Sequence, residues 1–382
     1  MHEHRQIQIA TPSLGEEEWQ ALREPIESGW LTQGPKVAAF EHAFAERHRV
    51  KHAIAVTSAT TGLHLALAAL DIGPGDEVIV PAFTWVATAN AVLYCGGTPV
   101  FADIDRTTFN IDVQDVARRV TPRTKAVIPV HLFGLCADVD ALRALLRPGV
   151  AIVEDAACAA GAALRGRSAG SLGNLGVFSF HPRKSITTGE GGMVTTEDDD
   201  VAERVRRMRN HGASVSEEER HRGPRPYLLP DFEILGFNYR MTDLQGAVGL
   251  VQLQKLDRFI DERARIAEVY RQKLADLHWL RVPEEPTDGR HAWQAYVTYV
   301  DPRTSPIPRN SIMERLQAQG IATRPGTHAV HVLKYYQQRF GFRPEDYPCA
   351  LDCDQNTMAI PLHNKLSPDD YAYVASALNH LR

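Results

Sequence analysis

Residues 150–157 read Val150-Ala151-Ile152-Val153-Glu154-Asp155-Ala156-Ala157. An apolar run of this length, closed by two acids, suits a strand covered on both faces. The pattern recurs upstream. Residues 53–56, 77–81, 99–103 and 126–130 also read as apolar strands. Helical spacing fills the intervals at 61–70, 87–93, 113–120 and 139–146. Strands alternating with helices predict an α/β fold, a large domain with a mostly parallel sheet between helices. Ligands of such sheets collect outside the carboxyl ends of the strands. Asp155 and the run Thr57-Ser58-Ala59-Thr60 both stand just past a strand end.

Downstream lies Phe178-Ser179-Phe180-His181-Pro182-Arg183-Lys184-Ser185-Ile186-Thr187-Thr188-Gly189-Glu190-Gly191-Gly192-Met193-Val194. An apolar strand ends in a serine, a lysine follows five residues later, and a threonine–glycine turn leads into a second strand. After residue 200 the pattern changes. Residues 203–208 form a basic helix, and 214–230 are polar and proline-rich, a surface loop. Residues 242–274 read as one long helix. A smaller α+β unit follows, with a strand over 291–300, a helix over 311–319 and a closing helix from Asp369. The division expected is a large domain over 1–250 and a small C-terminal domain over 251–382.

Composition narrows the function. The chain has 382 residues, 44% apolar and 23% charged, with a net charge of −5. That balance lacks the basic footprint of a nucleic-acid binder. No apolar run is long enough to cross a membrane, and the first residues do not read as a signal peptide. The five cysteines, Cys95, Cys136, Cys158, Cys349 and Cys353, are odd in number and scattered, which fits reduced thiols in a cytoplasm. Cys349 and Cys353 are four apart without paired histidines, so no metal site is expected.

Lysine, strand-end acid and Ser/Thr/Gly-rich turns are the parts that pyridoxal phosphate (PLP) chemistry requires. That cofactor needs an amine to bond it, an anion at its pyridine nitrogen, amides and hydroxyls for its phosphate, and a plate over its ring. Lys184 meets the first demand, against the plain alternative of a surface lysine on a turn. Asp155 meets the second, against that of a helix N-cap. Glu154, its neighbour, should point to the other face of the strand. Ala59 and Thr60, at a helix start, meet the third because helix N-termini present free amides. Ser179 adds a hydroxyl. Trp85 is the candidate plate, unless it is a core tryptophan.

These residues, together with Gly29-Trp30-Leu31-Thr32-Gln33-Gly34-Pro35, Ser58-Ala59-Thr60-Thr61-Gly62-Leu63, Pro129-Val130-His131-Leu132-Phe133-Gly134 and Gly236-Phe237-Asn238-Tyr239-Arg240-Met241, give the chain a resemblance that runs nearly end to end. It resembles the DegT/DnrJ/EryC1/StrS family, PLP-dependent sugar aminotransferases of fold type I. The resemblance implies Lys184 as the Schiff-base lysine and Asp155 as the partner of the pyridine nitrogen. Trp85 would stack on the ring, and Ala59, Thr60 and Ser179 would hold the phosphate. Asn238 would reach the phosphate from a second subunit, making the site a property of a homodimer. Position 158 departs from the family pattern: relatives carry Gln or His against the ring or its hydroxyl, and this chain has Cys158, a weak hydrogen-bonder. His181 and Arg183 flank the lysine, and Arg324, His328 and His331 fall where relatives line the sugar–nucleotide pocket. The implied activity is transfer of an amino group from L-glutamate to a nucleotide-linked keto-deoxysugar, a 4-keto-6-deoxyhexose, by way of pyridoxamine phosphate. A 3-keto sugar or a cyclitol is the alternative acceptor. Related dehydratases replace the lysine with histidine, which Lys184 argues against. A non-catalytic sugar sensor on the same scaffold could lose Lys184 or Asp155, and both are present.

Overall fold

The structure is a computed structural model and describes residues 5–215, 227 and 229–381. Its strands in chain order are β1 (His52–Val56), β2 (Glu77–Pro81), β3 (Phe83–Thr84), β4 (Thr98–Ala102), β5 (Thr124–Val127), β6 (Ala151–Asp155), β7 (Ala163–Leu164), β8 (Arg167–Ser168), β9 (Leu175–Ser179), β10 (Gly192–Thr196), β11 (Leu280–Arg281), β12 (Gly289–Arg290), β13 (Tyr296–Val300), β14 (His328–Ala329) and β15 (Thr357–Ile360). Seven of them form one sheet in the order β1-β10-β9-β6-β5-β2-β4. The pairs β9–β6, β6–β5, β5–β2 and β2–β4 are parallel, and β10 runs against both of its neighbours. The carboxyl ends of the parallel strands therefore share one edge.

Period-two alternation sorts each strand between two cores. Ile54, Val56, Val78, Val80, Val153 and Val177 pack with Leu63, Ala66 and Leu67 of the helix Ala59–Ala69. On the other face Ala53, Ala55, Phe178 and Met193 meet Phe40 and Phe44 of the helix Pro35–His48 and Leu256 and Phe259 of the helix Asp243–Lys273. Ile79, Val127 and Ile152 continue that face with Val116, Val139 and Leu142. The large mixed, mostly parallel sheet between helices is thus as the alternation predicted.

The later residues build a three-stranded sheet, β11-β13-β15, covered by the helices Arg309–Ala318 and Pro368–Asn379. Ile7 from the other end of the chain joins this core and pairs with Ile321. The long helix contributes Leu256, Phe259 and Ile260 to one core and Ile266 and Tyr270 to the other. Its start is set by Thr242, whose hydroxyl takes the Gln245 amide while the Gln245 side chain returns to Thr242, a capping box.

Two expectations need correction. The strand expected over 291–300 covers only Tyr296–Val300. Trp293 adopts φ 47°, and the amides of Ala292 and Gln294 go to Gly134 and Phe133. The backbone of 291–295 bonds this loop rather than a ladder, and Trp293 turns into the C-terminal core against His291 and Tyr296. The strand expected over 126–130 is Thr124–Val127, followed by single bridging contacts such as Val130 with Asp155. The surface loop expected over 214–230 lies mostly outside the described residues.

Phe44 is fully buried, with ring centroids 3.9 Å from His48, 5.0 Å from Phe178 and 5.7 Å from Phe180. Phe44→Ala should cost about 3–5 kcal/mol, read as a lower urea midpoint. A loss below about 1 kcal/mol would show that the helix Pro35–His48 is not fixed by this cluster.

Candidate active site

Register places the site. Val56, Gly192 and Ser179 stand level across β1, β10 and β9, and Asp155 of β6 pairs with Val177, two residues before Ser179 on β9. The four strand ends therefore deliver Ser58, Ser179 and Asp155 to one edge. Ser58 caps the helix Ala59–Ala69, its hydroxyl taking the Thr61 amide at 3.1 Å. The amides of Ala59 and Thr60 make no hydrogen bond within the described residues. Gly192 lies against this turn. A Cβ there would stand 2.6 Å from the Ser58 carbonyl carbon and 2.8 Å from the Ala59 nitrogen.

Lys184 is carried by the connection between the antiparallel neighbours β9 and β10. Its amide donates to the His181 carbonyl, and Thr187 and Thr188 both tie back to the Phe180 carbonyl. Left-handed Gly189, φ 85°, completes the turn. The lysine Nζ donates to Cys158 Sγ at 3.1 Å. Ser185, beside it, has a buried hydroxyl without a partner.

The two adjacent acids point apart, as alternation requires. Glu154 is fully buried and accepts from His131 Nε2 and the Gly170 and Leu172 amides at 2.7 Å and the Gly173 amide at 2.6 Å. The Ala137 amide donates to His131 Nδ1 at 3.0 Å, which leaves the ring proton on Nε2 facing Glu154. Asp155, 5% exposed, accepts among the described residues only from the Thr88 hydroxyl at 2.8 Å and the Ala157 amide at 3.2 Å. Thr88 is in turn 3.1 Å from the Thr84 hydroxyl. Burial pushes the Asp155 carboxyl above the ordinary carboxylate range, against the opposing pull of these two bonds and of the Lys184 charge. No helix follows Asp155, so it is not an N-cap.

Trp85 is 62% exposed and is not a core tryptophan. Its ring lies 5.7 Å from that of His328, because β14 pairs with β3 and sets His328 opposite Thr84. Arg183, Arg324 and His328 are exposed, and His181 is half-buried. His331 corrects the expectation that it meets substrate. It is fully enclosed, its Nε2 faces the Pro344 carbonyl at 3.1 Å, and its ring packs on Tyr347. The 3-10 turn at Val330–Val332 rotates it inward. Asn238 is exposed, between Phe237 and Tyr239, and the Tyr239 carbonyl takes the Thr57 amide. A cleft of about 550 Å³ between residues 105–113 and 281–288 contains none of these side chains.

The sequence pattern of the DegT/DnrJ/EryC1/StrS aminotransferase family matches residues 12–379. The chain belongs to this family. It is a PLP-dependent sugar aminotransferase. It is 41% identical over 377 residues to the spore coat polysaccharide biosynthesis protein SpsC of Bacillus subtilis, covering 98% of this chain and 97% of that protein. It is also 41% identical over 378 residues to the GDP-perosamine synthase of Caulobacter vibrioides, covering 98% of each. The fold superposes with a TM-score of 0.91 on the putative sugar aminotransferase Spr1654 of Streptococcus pneumoniae, 28% identical, covering 99% of this chain and 98% of that one in its PMP form. A PLP form of the same protein gives the same score. No helix among the described residues is long and apolar enough to cross a membrane.

The residues of this aminotransferase fit PLP. A buried carboxylate lacks a cation in hydrogen-bond contact, two helix amides are free, and a primary amine stands nearby. Sequence reasoning missed Thr88, the His131–Glu154 pair and the Cys158 contact. Thr84 and Thr88, four apart around Trp85, were the available signal for the first.

Asp155 yields a signed pH prediction. The folded state holds the Asp155 proton to a higher pH than the unfolded chain does. Stability is therefore lost as pH rises above the ordinary carboxylate value toward the folded value, and the loss is complete above it. Cofactor-free Asp155→Asn should melt above cofactor-free wild type at neutral pH, with the gap closing toward pH about 4. Equal melting temperatures at both pH values would contradict the burial argument. Gly192→Ala should displace the helix start and weaken PLP binding about tenfold or more, measured by equilibrium titration, while the protein still folds.

Proposed function

We propose that this enzyme transfers an amino group from L-glutamate to the 4-keto group of a nucleotide-linked 6-deoxyhexose, with Lys184 and Asp155 as its catalytic pair. The observation that carries the reading is the meeting of a primary amine, a buried acid without a cation and two free helix amides at one sheet edge. The name of the Caulobacter relative, a GDP-sugar enzyme, supports a nucleotide-linked substrate.

Bound PLP supplies an electron sink beside the carbon that carries the amine. Lys184 would anchor it, take the proton from the donor's α-carbon and return it to the cofactor carbon. The same amine would run the second half in reverse on the ketosugar. Asp155, ionised, would keep a proton on the pyridine nitrogen. The Ala59 and Thr60 amides and the Ser179 hydroxyl would hold the phosphate, since a helix start favours anions. Trp85 would cover the ring, and Cys158 would lie beside it. His181, Arg183, Arg324 and His328 would meet the substrate, the cations pairing with its diphosphate.

Residues 1–250 would form the cofactor domain and 251–382 the smaller one. The enzyme would work as a homodimer in the cytoplasm, Asn238 of each chain completing the other's phosphate site. Leu229 and Leu235, 80% and 84% exposed just before Asn238, support a covering partner. All five cysteines are free thiols, which supports a reducing compartment.

Lys184→Ala should lose multiple turnover by more than a thousandfold. Retained turnover would remove Lys184 from its role. A panel of nucleotide 4-keto and 3-keto sugars and cyclitol ketones, with mass detection of the amine formed, tests the acceptor. Amination of a 3-keto sugar alone would overturn the C4 reading. Mixing Lys184→Ala chains with chains inactivated at Asn238 should restore activity, because hybrid dimers hold one intact site. Hybrids that form and stay inactive would exclude the shared site.

A further inference from the structure

We propose that Cys158 is a positioning residue for Lys184, holding the lysine amine through the half of the cycle in which that amine is not bonded to the cofactor. The inference rests on the reading of Lys184 as the Schiff-base lysine. Cys158 Sγ is the one hydrogen-bond partner of Lys184 Nζ among the described residues, at 3.1 Å. The two side chains come from adjacent strand ends. Cys158 follows β6 by three residues and Lys184 follows β9 by five, and these strands are parallel neighbours with Asp155 level with Val177. Both backbones are fixed. The Ala159 amide closes a turn on the Ala156 carbonyl at 2.8 Å, and the Lys184 amide closes one on His181 at 2.8 Å.

Sulfur suits the task. A transaminating lysine is in turn an ammonium and a neutral amine. A thiol accepts from the first and donates to the second, weakly in both cases. A carboxylate at the same place would trap the ammonium. Asp155 and His181 are the groups that interact electrostatically with Lys184, and Glu190 and Arg183 act on His181. None of them hydrogen-bonds Nζ, so the thiol directs the amine while the charges set its field. A free lysine side chain has many rotamers. Held on Cys158, it stays at the strand edge where Asp155 and Ser179 emerge.

The test is o-phthalaldehyde, which joins a neighbouring primary amine and thiol in one fluorescent isoindole. Two C–N bonds and one C–S bond form, and both aldehyde oxygens leave as water, so no oxidant is needed. The enzyme loaded with pyridoxamine phosphate should give an isoindole linking the Cys158 and Lys184 peptides. The PLP-loaded enzyme should give it at least tenfold more slowly, and Cys158→Ala should not give it. Absence of the link in the pyridoxamine form, or equal linking in both forms, overturns the proposal. Kinetics provide a second arm. Cys158→Ala should lower kcat about tenfold with KM within about twofold, and Cys158→Ser should recover most of it. Wild-type kcat in the alanine variant, or a serine variant no better than alanine, also overturns it. Borohydride reduction of the PLP form with peptide mapping separates the two readings. A different modified lysine would sink the role of Lys184, whatever the isoindole shows.

Discussion

The carboxylate of Glu154 is the fixed point of this edge of the sheet. It has no solvent exposure and takes four N–H bonds, three from the backbone of residues 170–173 and one from His131. Hydrogen bonds to a charged group contribute about 1.5–3 kcal/mol each, and an unmet one costs its full desolvation. Two segments are thereby bound to the end of β6: the loop after β5 and the connection between β8 and β9. The neighbouring residue inherits that rigidity. Asp155 is further held through its backbone, by the Pro129 carbonyl and the His131 amide.

Two consecutive acids on one strand thus have opposite circumstances. Glu154 is saturated with donors and completes the fold. Asp155 has two donors and no cation at bonding distance, so its charge is expensive in the folded chain. A structural acid is surrounded until it is content, whereas an acid kept for a ligand is left short of a partner. In the proposed role of Asp155, the pyridine nitrogen of PLP would supply what it lacks.

Much of this was legible in the sequence. Lys184 stood out because two strand patterns and a glycine turn enclosed it, and Asp155 because an acid ended an apolar run. The opposite directions of Glu154 and Asp155 followed from strand alternation alone. Other features depend on contacts between distant segments. His328 and His331 lie three apart in the same run, and nothing local separates them. β14 pairing with β3 turns one toward Trp85, and the following turn buries the other against Tyr347. Residues 291–295 look like the start of a strand because Ala292 and Trp293 are buried, but their backbone bonds the loop at Phe133 and Gly134, and Trp293 stacks on His291 and Tyr296. The partner of Cys158 was hidden for the same reason, since residues 158 and 184 meet only once β6 and β9 are paired.

The helix Asp243–Lys273 runs for 31 residues, about 46 Å at the usual rise. It has no proline to bend it. Its first half is bedded in the core beneath the lysine loop, where the Gln252 side chain takes the Thr187 amide. Its second half is the floor of the C-terminal sheet, where Tyr270 bonds the Pro361 carbonyl. A single helix built into both walls can carry rotation from one to the other. A tilt of the C-terminal sheet would therefore be carried along the helix toward Thr187. The two ends of the molecule are geared to each other by a single piece of backbone.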